Sequence, residues 1–198
     1  HGTMLTRHGR YRYVPITQRP SYRWPNGTGL AVYLALGVEE YAFGQGMTED
    51  LLPGASKPDM ANTSWRDYGN RVGCFRLLDR LSALGIAPAL LLNTALYDHA
   101  PEVVEAARAA KAEIVAHGYS NSDTLATMSP AEEADYIGAV VRRIAAEEGS
   151  SPGGWSSPWL AHTDRTLELL TAAGCRYLLE LGMDDQPVWL SAGSERLL

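Results

Sequence analysis

The stretch EIVAHGYSNSD, residues 113–123, decides how this chain is read. After Glu113, Ile114 to Ala116 form a short apolar run that stops at His117, and a glycine and small polar residues follow. A short apolar run bounded by turn residues has the signature of a buried strand, here ending on an ionisable side chain. Working outward, the flanks are helical. APEVVEAARAAK (100–111) carries Pro101 in its first turn, where the missing N–H costs nothing. SPAEEADYIGAVVRRIAAEEG (129–149) opens with Ser129 as N-cap, Pro130 and the acidic Glu132, and stops at Gly149.

The same unit recurs on both sides. LAVYLAL (30–36) reads as a strong buried strand that ends at Gly37 and delivers Glu39 and Glu40. WRDYGNRVGCFRLLDRLSALG (65–85) reads as a helix, with Val72, Phe75, Leu78, Leu81 and Leu84 three residues apart and Gly85 closing it. APALLLN (87–93) is a second strand and EIVAH the third. GGWSS (153–157) holds a fourth, DRTLELLTAAG (164–174) another helix, and CRYLLE (175–180) a fifth strand. Alternating strands and helices imply an α/β fold with a parallel sheet or a β/α barrel.

Two segments stand outside this alternation. Residues 41–64 are rich in Gly, Pro, Asp and Asn without periodicity, and a loop of that length inside a domain is commonly a lid or binding loop. Residues 1–29 are expected to be a tag remnant, His1-Gly2-Thr3, followed by an extended Tyr/Arg/Pro-rich arm. That arm either straps the domain or reaches a neighbouring subunit of a homo-oligomer. Residues 30–198 then form one domain.

A net charge of −6 argues against a nucleic-acid partner, because phosphate binding needs a basic surface. No apolar run approaches the length of a membrane span, and no apolar stretch follows Arg7, Arg10 and Arg12 as it would in a signal peptide. Cys74 and Cys175 sit in unrelated apolar contexts, which suits two reduced core thiols and a cytoplasmic location, with a disulfide or a catalytic thiol as the other options.

Ligands of parallel α/β folds gather at the carboxyl ends of the strands. That rule collects Glu39 and Glu40, Asn93 and Thr94, His117 and Gly118, Ser156 to Trp159, and Asp184 and Asp185. Acids, an imidazole and aromatic walls therefore share one end of the sheet.

These elements, in this order, resemble the polysaccharide deacetylase family, carbohydrate esterase family 4 and its relatives. Glu39-Glu40 stands where the family has an Asp-Asp pair, and HGYSN (117–121) where it has His-x-x-x-His. SSPW (156–159) stands for Arg-x-Pro-Tyr, and Asp184, Asp185 and Trp189 for an Asp near a Trp. RDYGNRVG (66–73), YDHAPEVV (97–104) and MDDQPVWL (183–190) are closer to a divergent, allantoinase-like branch. The resemblance covers roughly residues 20 to 190.

It implies an irregular β/α barrel that hydrolyses non-peptide carbon–nitrogen bonds, in an N-acetyl sugar or a small cyclic amide such as allantoin. It also implies catalytic roles for Glu39 (general base), His117, Asp184 and Asp185, and substrate contacts for Trp159, Asn121 and Trp189. Glu40, His117 and Asn121 are the implied metal ligands. Asn121 offers only an amide where the family has an imidazole, so the expectation is either no cofactor or a weakly held, zinc-like divalent ion. The family's Leu-x-His segment has no counterpart, since no histidine follows His162. The barrel is thus expected to be incomplete at its C-terminus, and a family member that binds a carbohydrate or ureide without turnover is the alternative.

Overall fold

The structure, a computed structural model, describes residues 4–46, 54 and 59–198. The tag remnant His1–Thr3 and most of the 47–58 part of the expected loop lie outside the described residues.

Five strands form a parallel sheet in the order β1-β2-β3-β4-β5: Ala35–Val38, Ala89–Leu92, Glu113–Ala116, Gly154–Trp155 and Tyr177–Leu178. The register is continuous, with Val38 beside Leu92, Leu92 beside Ala116, and Ala116 beside Trp155. Side chains alternate across a strand, so these four share one face and are all buried. The sheet is of the expected β/α type but is open among the described residues. An antiparallel hairpin follows it, β6 (Leu190–Ala192) and β7 (Glu195–Leu197). The hairpin joins β5 through two bonds: Leu178 donates its N–H to Leu198 O, and Leu198 donates its own to Arg176 O.

Helices α1 (Met60–Tyr68), α2 (Cys74–Ala83), α3 (Leu96–His99), α4 (Pro101–Ala109), α5 (Pro130–Glu148) and α6 (Thr166–Ala172) fill the crossovers. The predicted N-terminus of α5 is a full capping box: Ser129 Oγ accepts from Glu132 N–H, and the Glu132 carboxylate accepts from Ser129 N–H. Its buried stripe, Ile137, Val140, Val141 and Ile144, follows the helical spacing, and burying each contributes about 1.5–3 kcal/mol. One turn earlier on this stripe lies Glu133, fully buried. Its carboxylate accepts from the Thr163 and Thr166 hydroxyls and pairs with Arg165 at 3.4 Å, joining α5 to α6.

Two expectations are corrected. The buried strand read over 30–36 starts at Ala35 instead, and Leu30, Val32 and Tyr33 are exposed. The reason is register: pairing with β2 begins at Ala35 opposite Ala89, so residues 30–34 lie ahead of the paired strand. The helix read over 65–85 begins earlier, at Met60, capped by the Asp59 side chain. It loosens into a π-turn at Gly69–Gly73 before α2, and only Leu78 and Leu81 of the predicted stripe are buried.

The N-terminal arm packs on its own chain. Arg10 pairs with Glu168, its carbonyl accepts from Ser191 N–H at 2.8 Å, and Arg19 pairs with Asp184. Both cysteines are free, and burial pushes the Cys175 thiol up to about 11. No described helix is long and apolar enough to cross a membrane.

Candidate active site

Beyond β1, β2, β3 and β4 the ladder runs one residue further. Asn93 N–H donates to Val38 O, His117 N–H to Leu92 O, and Ser156 N–H to Ala116 O. This extra row places Glu39, Asn93, His117 and Ser156 on the face opposite Val38, Leu92, Ala116 and Trp155. The row answers why the central strand ends in histidine: His117 stands on the cleft-facing side, at the carboxyl edge of the sheet. Gly118 must follow it, because the backbone is left-handed there (φ +73°). A Cβ would also lie 2.6 Å from Tyr136 Oη and 2.7 Å from Pro158 Cγ.

A cavity of about 510 Å³ opens on this row, lined by Glu39, Tyr41, Trp65, His117, Asn121 and Trp159 among others. His117 is buried, and its Nδ1 lies 2.7 Å from Ser156 O. A carbonyl can only accept, so Nδ1 carries a proton, and Nε2 is the ring nitrogen turned toward Glu39. Nε2 lies 3.7 Å from Glu39 Oε1, too long for a hydrogen bond and close enough for charge attraction when the ring is protonated. Gly37 leaves room for that carboxylate, since a Cβ there would come within 3.1 Å of Glu39 Oε1.

Tyr41 Oη donates to Glu39 Oε2 at 2.8 Å. Burial pushes the Glu39 carboxyl up, but the stabilisation by His117, Tyr41 and Asn121 outweighs it and holds the group below 4.5. Burial together with the Glu39 charge raises the Tyr41 phenol to about 12, against the opposing effect of Asn121. Arg66 stacks over the Tyr41 ring at 3.5 Å.

A directional chain of bonds supports the pair. Glu40 N–H donates to Asn93 Oδ1 at 2.8 Å. That donor is a backbone amide, so the orientation of the Asn93 side chain is fixed, and its Nδ2 must be the atom facing His117 O and Asn121 Oδ1. Asn121 therefore turns its oxygen inward and its Nδ2 toward Tyr41 Oη, at 3.3 Å. Sequence reasoning placed Asn93 at a strand end but gave it no role. Its total burial, a fixed polarity and bonds to the ends of β1 and β3 and to the Asn121 side chain are visible only in three dimensions.

This polarity tests the metal expectation. Asn121 presents N–H groups toward the pair, not a lone pair, and Glu40 lines a neighbouring recess with Thr63 and Asp67 instead of the main cleft. Two donors remain, Glu39 and His117. Among the described residues no three His, Cys, Asp or Glu side chains converge on one point. Catalytic zinc sites use three protein ligands, so this donor set does not fit a firmly held zinc-type ion.

The other expected residues divide cleanly. Trp159 lines the cleft, and its Nε1 donates to Asn121 O at 2.7 Å. Asp184, Asp185 and Trp189 lie in a separate groove of about 710 Å³ beneath the N-terminal arm. There Asp184 is bound by Arg19, and Arg196 stacks 4.9 Å over Trp189. The structure thus brings Glu39, His117, Asn121 and Trp159 together and leaves Asp184, Asp185 and Trp189 outside. The reason is chain path: the segment after β5 runs toward the arm and away from the cleft.

One atom at the site has no partner. The Ser156 hydroxyl is fully buried and makes no hydrogen bond to the described residues, which costs about 1–3 kcal/mol when nothing compensates. The turn after it is also unusual, with both Trp159 (φ 61°) and Leu160 (φ 54°) in the left-handed region.

The carboxylate–imidazole pair thus stands in a cleft at the carboxyl edge of an open parallel α/β sheet, where ligands of such folds gather. The chain belongs to the polysaccharide deacetylase family, whose profile matches residues 63–178. Three solved structures share the fold. One is described as a polysaccharide deacetylase from Mycobacterium smegmatis, 25% identical, with a TM-score of 0.64 over 70% of this chain and 48% of that one. The second is PuuE allantoinase, 24% identical, with a TM-score of 0.71 over 90% and 63%. The third is described as a polysaccharide deacetylase from Pseudomonas aeruginosa PAO1, 24% identical, with a TM-score of 0.68 over 84% and 60%. The chain spans less than two thirds of the length of each of these structures. No curated protein matches.

Proposed function

We propose that this chain hydrolyses a non-peptide carbon–nitrogen bond, in an N-acetyl sugar or a small cyclic amide such as allantoin, at the Glu39–His117 pair. The observation that carries this reading is the pair itself: a carboxylate that its neighbours hold ionised and the Nε2 of an imidazole, 3.7 Å apart and facing one cleft. A water about 2.8 Å from each acceptor would subtend roughly 80–85° between them, about 20° less than its own bond angle, so each hydrogen bond bends by only about 10°. Both of its protons are then engaged, and its lone pairs aim at the bound acyl carbon.

Glu39 takes one proton as the water oxygen bonds to that carbon, giving a tetrahedral oxyanion and a protonated carboxyl. When the carbon–nitrogen bond breaks, the proton returns to the leaving nitrogen. An acid and an amine are released, and Glu39 is ionised again. Tyr41 holds the carboxylate in place, and Trp65 and Trp159 flank the bound compound.

A second reading has its own support. Both Glu39 oxygens already face His117 or Tyr41, and the site has no second imidazole, which suits a protein that binds such a compound without turning it over. Turnover of allantoin and of N,N′-diacetylchitobiose separates the two. Hydrolysis lost in Glu39→Gln, by about 100-fold or more, supports the enzyme. Binding with no turnover supports the binder, and turnover equal in both proteins rejects Glu39 as the base.

A further inference from the structure

We infer that Ser156 is a further catalytic residue, whose hydroxyl donates a hydrogen bond to the oxygen of the carbonyl under attack. The inference rests on the reading of the cleft as a carbon–nitrogen hydrolase. Four observations converge on it. Ser156 lines the cleft and belongs to the same row as Glu39 and His117, so its side chain projects on their side of the sheet. The backbone carbonyl of the same residue receives the His117 Nδ1 proton, which ties the serine rigidly to the imidazole beside it.

The hydroxyl is fully buried and has no partner among the described residues, although nearly every buried polar group in a folded protein has one. Its neighbour Ser157 shows the ordinary state: that hydroxyl accepts from Trp155 Nε1 at 2.9 Å. The donor set of the cleft also does not fit a firmly held ion, so the negative charge that develops on a carbonyl oxygen has to be met by protein N–H or O–H groups. Ser156 Oγ is the hydroxyl in the pair's own row that no protein group already uses.

Burial restricts what can reach this oxygen to a small terminal group such as an acetyl or ring carbonyl. The hydroxyl is under cover in the present structure, so the approaching group must shift the cover. The adjoining turn can supply that shift. Trp159 and Leu160 line the same cleft in left-handed backbone, and the Trp159 indole is tethered across it by one bond to Asn121 O.

The test compares wild type, Ser156→Ala and Glu39→Gln with allantoin and N,N′-diacetylchitobiose, by turnover, calorimetric binding and thermal melting. Ser156→Ala is expected to lower kcat by roughly 100-fold with KM within about twofold. Its melting temperature should equal or exceed that of wild type, because the hydroxyl removed had no partner. A lower melting temperature shows a hydroxyl already bonded inside the fold and overturns the inference. Loss of turnover in Glu39→Gln with unchanged turnover in Ser156→Ala also overturns it, and leaves Glu39 standing as the base. If wild type binds either compound without turning it over, the functional reading fails instead. Affinity then decides for Ser156: weakening of fivefold or more in Ser156→Ala keeps it as the carbonyl contact, and equal affinity, or no binding by wild type, overturns it.

Discussion

Replacing Asn93 with alanine removes the fixed point of the bond chain beneath the cleft, and the cost follows from what it leaves behind. Three bonds go: Glu40 N–H loses its acceptor, and His117 O and Asn121 Oδ1 lose their donor. Glu40 is only partly buried, so water can replace the first bond. His117 and Asn121 are buried, and each orphaned oxygen costs about 1–3 kcal/mol. With the small void left by the amide, Asn93→Ala should lose about 3–5 kcal/mol, which for a chain of this size lowers Tm by about 10 °C.

Asn93→Asp provides the contrast. Its carboxylate can still accept from Glu40 N–H, but it turns negative oxygens toward two acceptors. It should therefore be at least as damaging at neutral pH, and should recover as acid protonates the new carboxyl. Urea unfolding measures both, with the midpoint falling and the slope unchanged. A loss below about 1 kcal/mol in Asn93→Ala, or an Asn93→Asp variant as stable as wild type at pH 7, refutes the bond polarity deduced for Asn93 and Asn121.

Two further outcomes follow from the same geometry. Glu133→Ala strands the Thr163 and Thr166 hydroxyls between α5 and α6, while Arg165 is exposed enough to rehydrate. It should cost about 3 kcal/mol by denaturant unfolding, and a loss under about 1 kcal/mol contradicts the role of this buried carboxylate. In turnover against pH, Glu39 acts in its ionised form and its folded value lies below 4.5. The limb that Glu39 sets should lie below that point, with activity falling as pH drops through the folded value. Tyr41→Phe removes a donor that favours the ionised form and should move the acidic limb to higher pH; a limb that stays put or moves lower contradicts the Tyr41–Glu39 bond.

Much of the sheet could be read directly from the sequence, because its strands are apolar runs bounded by punctuation a physical rule can interpret. Ser129, Pro130 and Glu132 announced α5, and Gly149 and Gly174 closed their helices in left-handed backbone. LAVYLAL misled because periodicity reports what a segment could bury, not where its pairing begins, and β1 starts only at Ala35. Glu39, His117 and Asn121 were legible as strand-end residues. The distinction between Glu39 and Glu40 was not, because adjacent residues on an extended chain point to opposite sides and only the register says which side is the cleft. Asp184 and Asp185 shared a strand-end position but not the cavity, since a chain leaving β5 can turn either way. Asn93 and Ser156 are ordinary letters in sequence, and their interest lies in having every bond assigned or none.

A reacting centre made from a carboxylate–imidazole pair, with no third donor for an ion among the described residues, is tested most directly by metal content against turnover. Protein exhaustively dialysed against a chelator, with residual metal measured by mass spectrometry, should hydrolyse its substrate at the untreated rate. Activity that disappears on dialysis and returns in proportion to added zinc would contradict the account, and with it the inward-facing oxygen of Asn121.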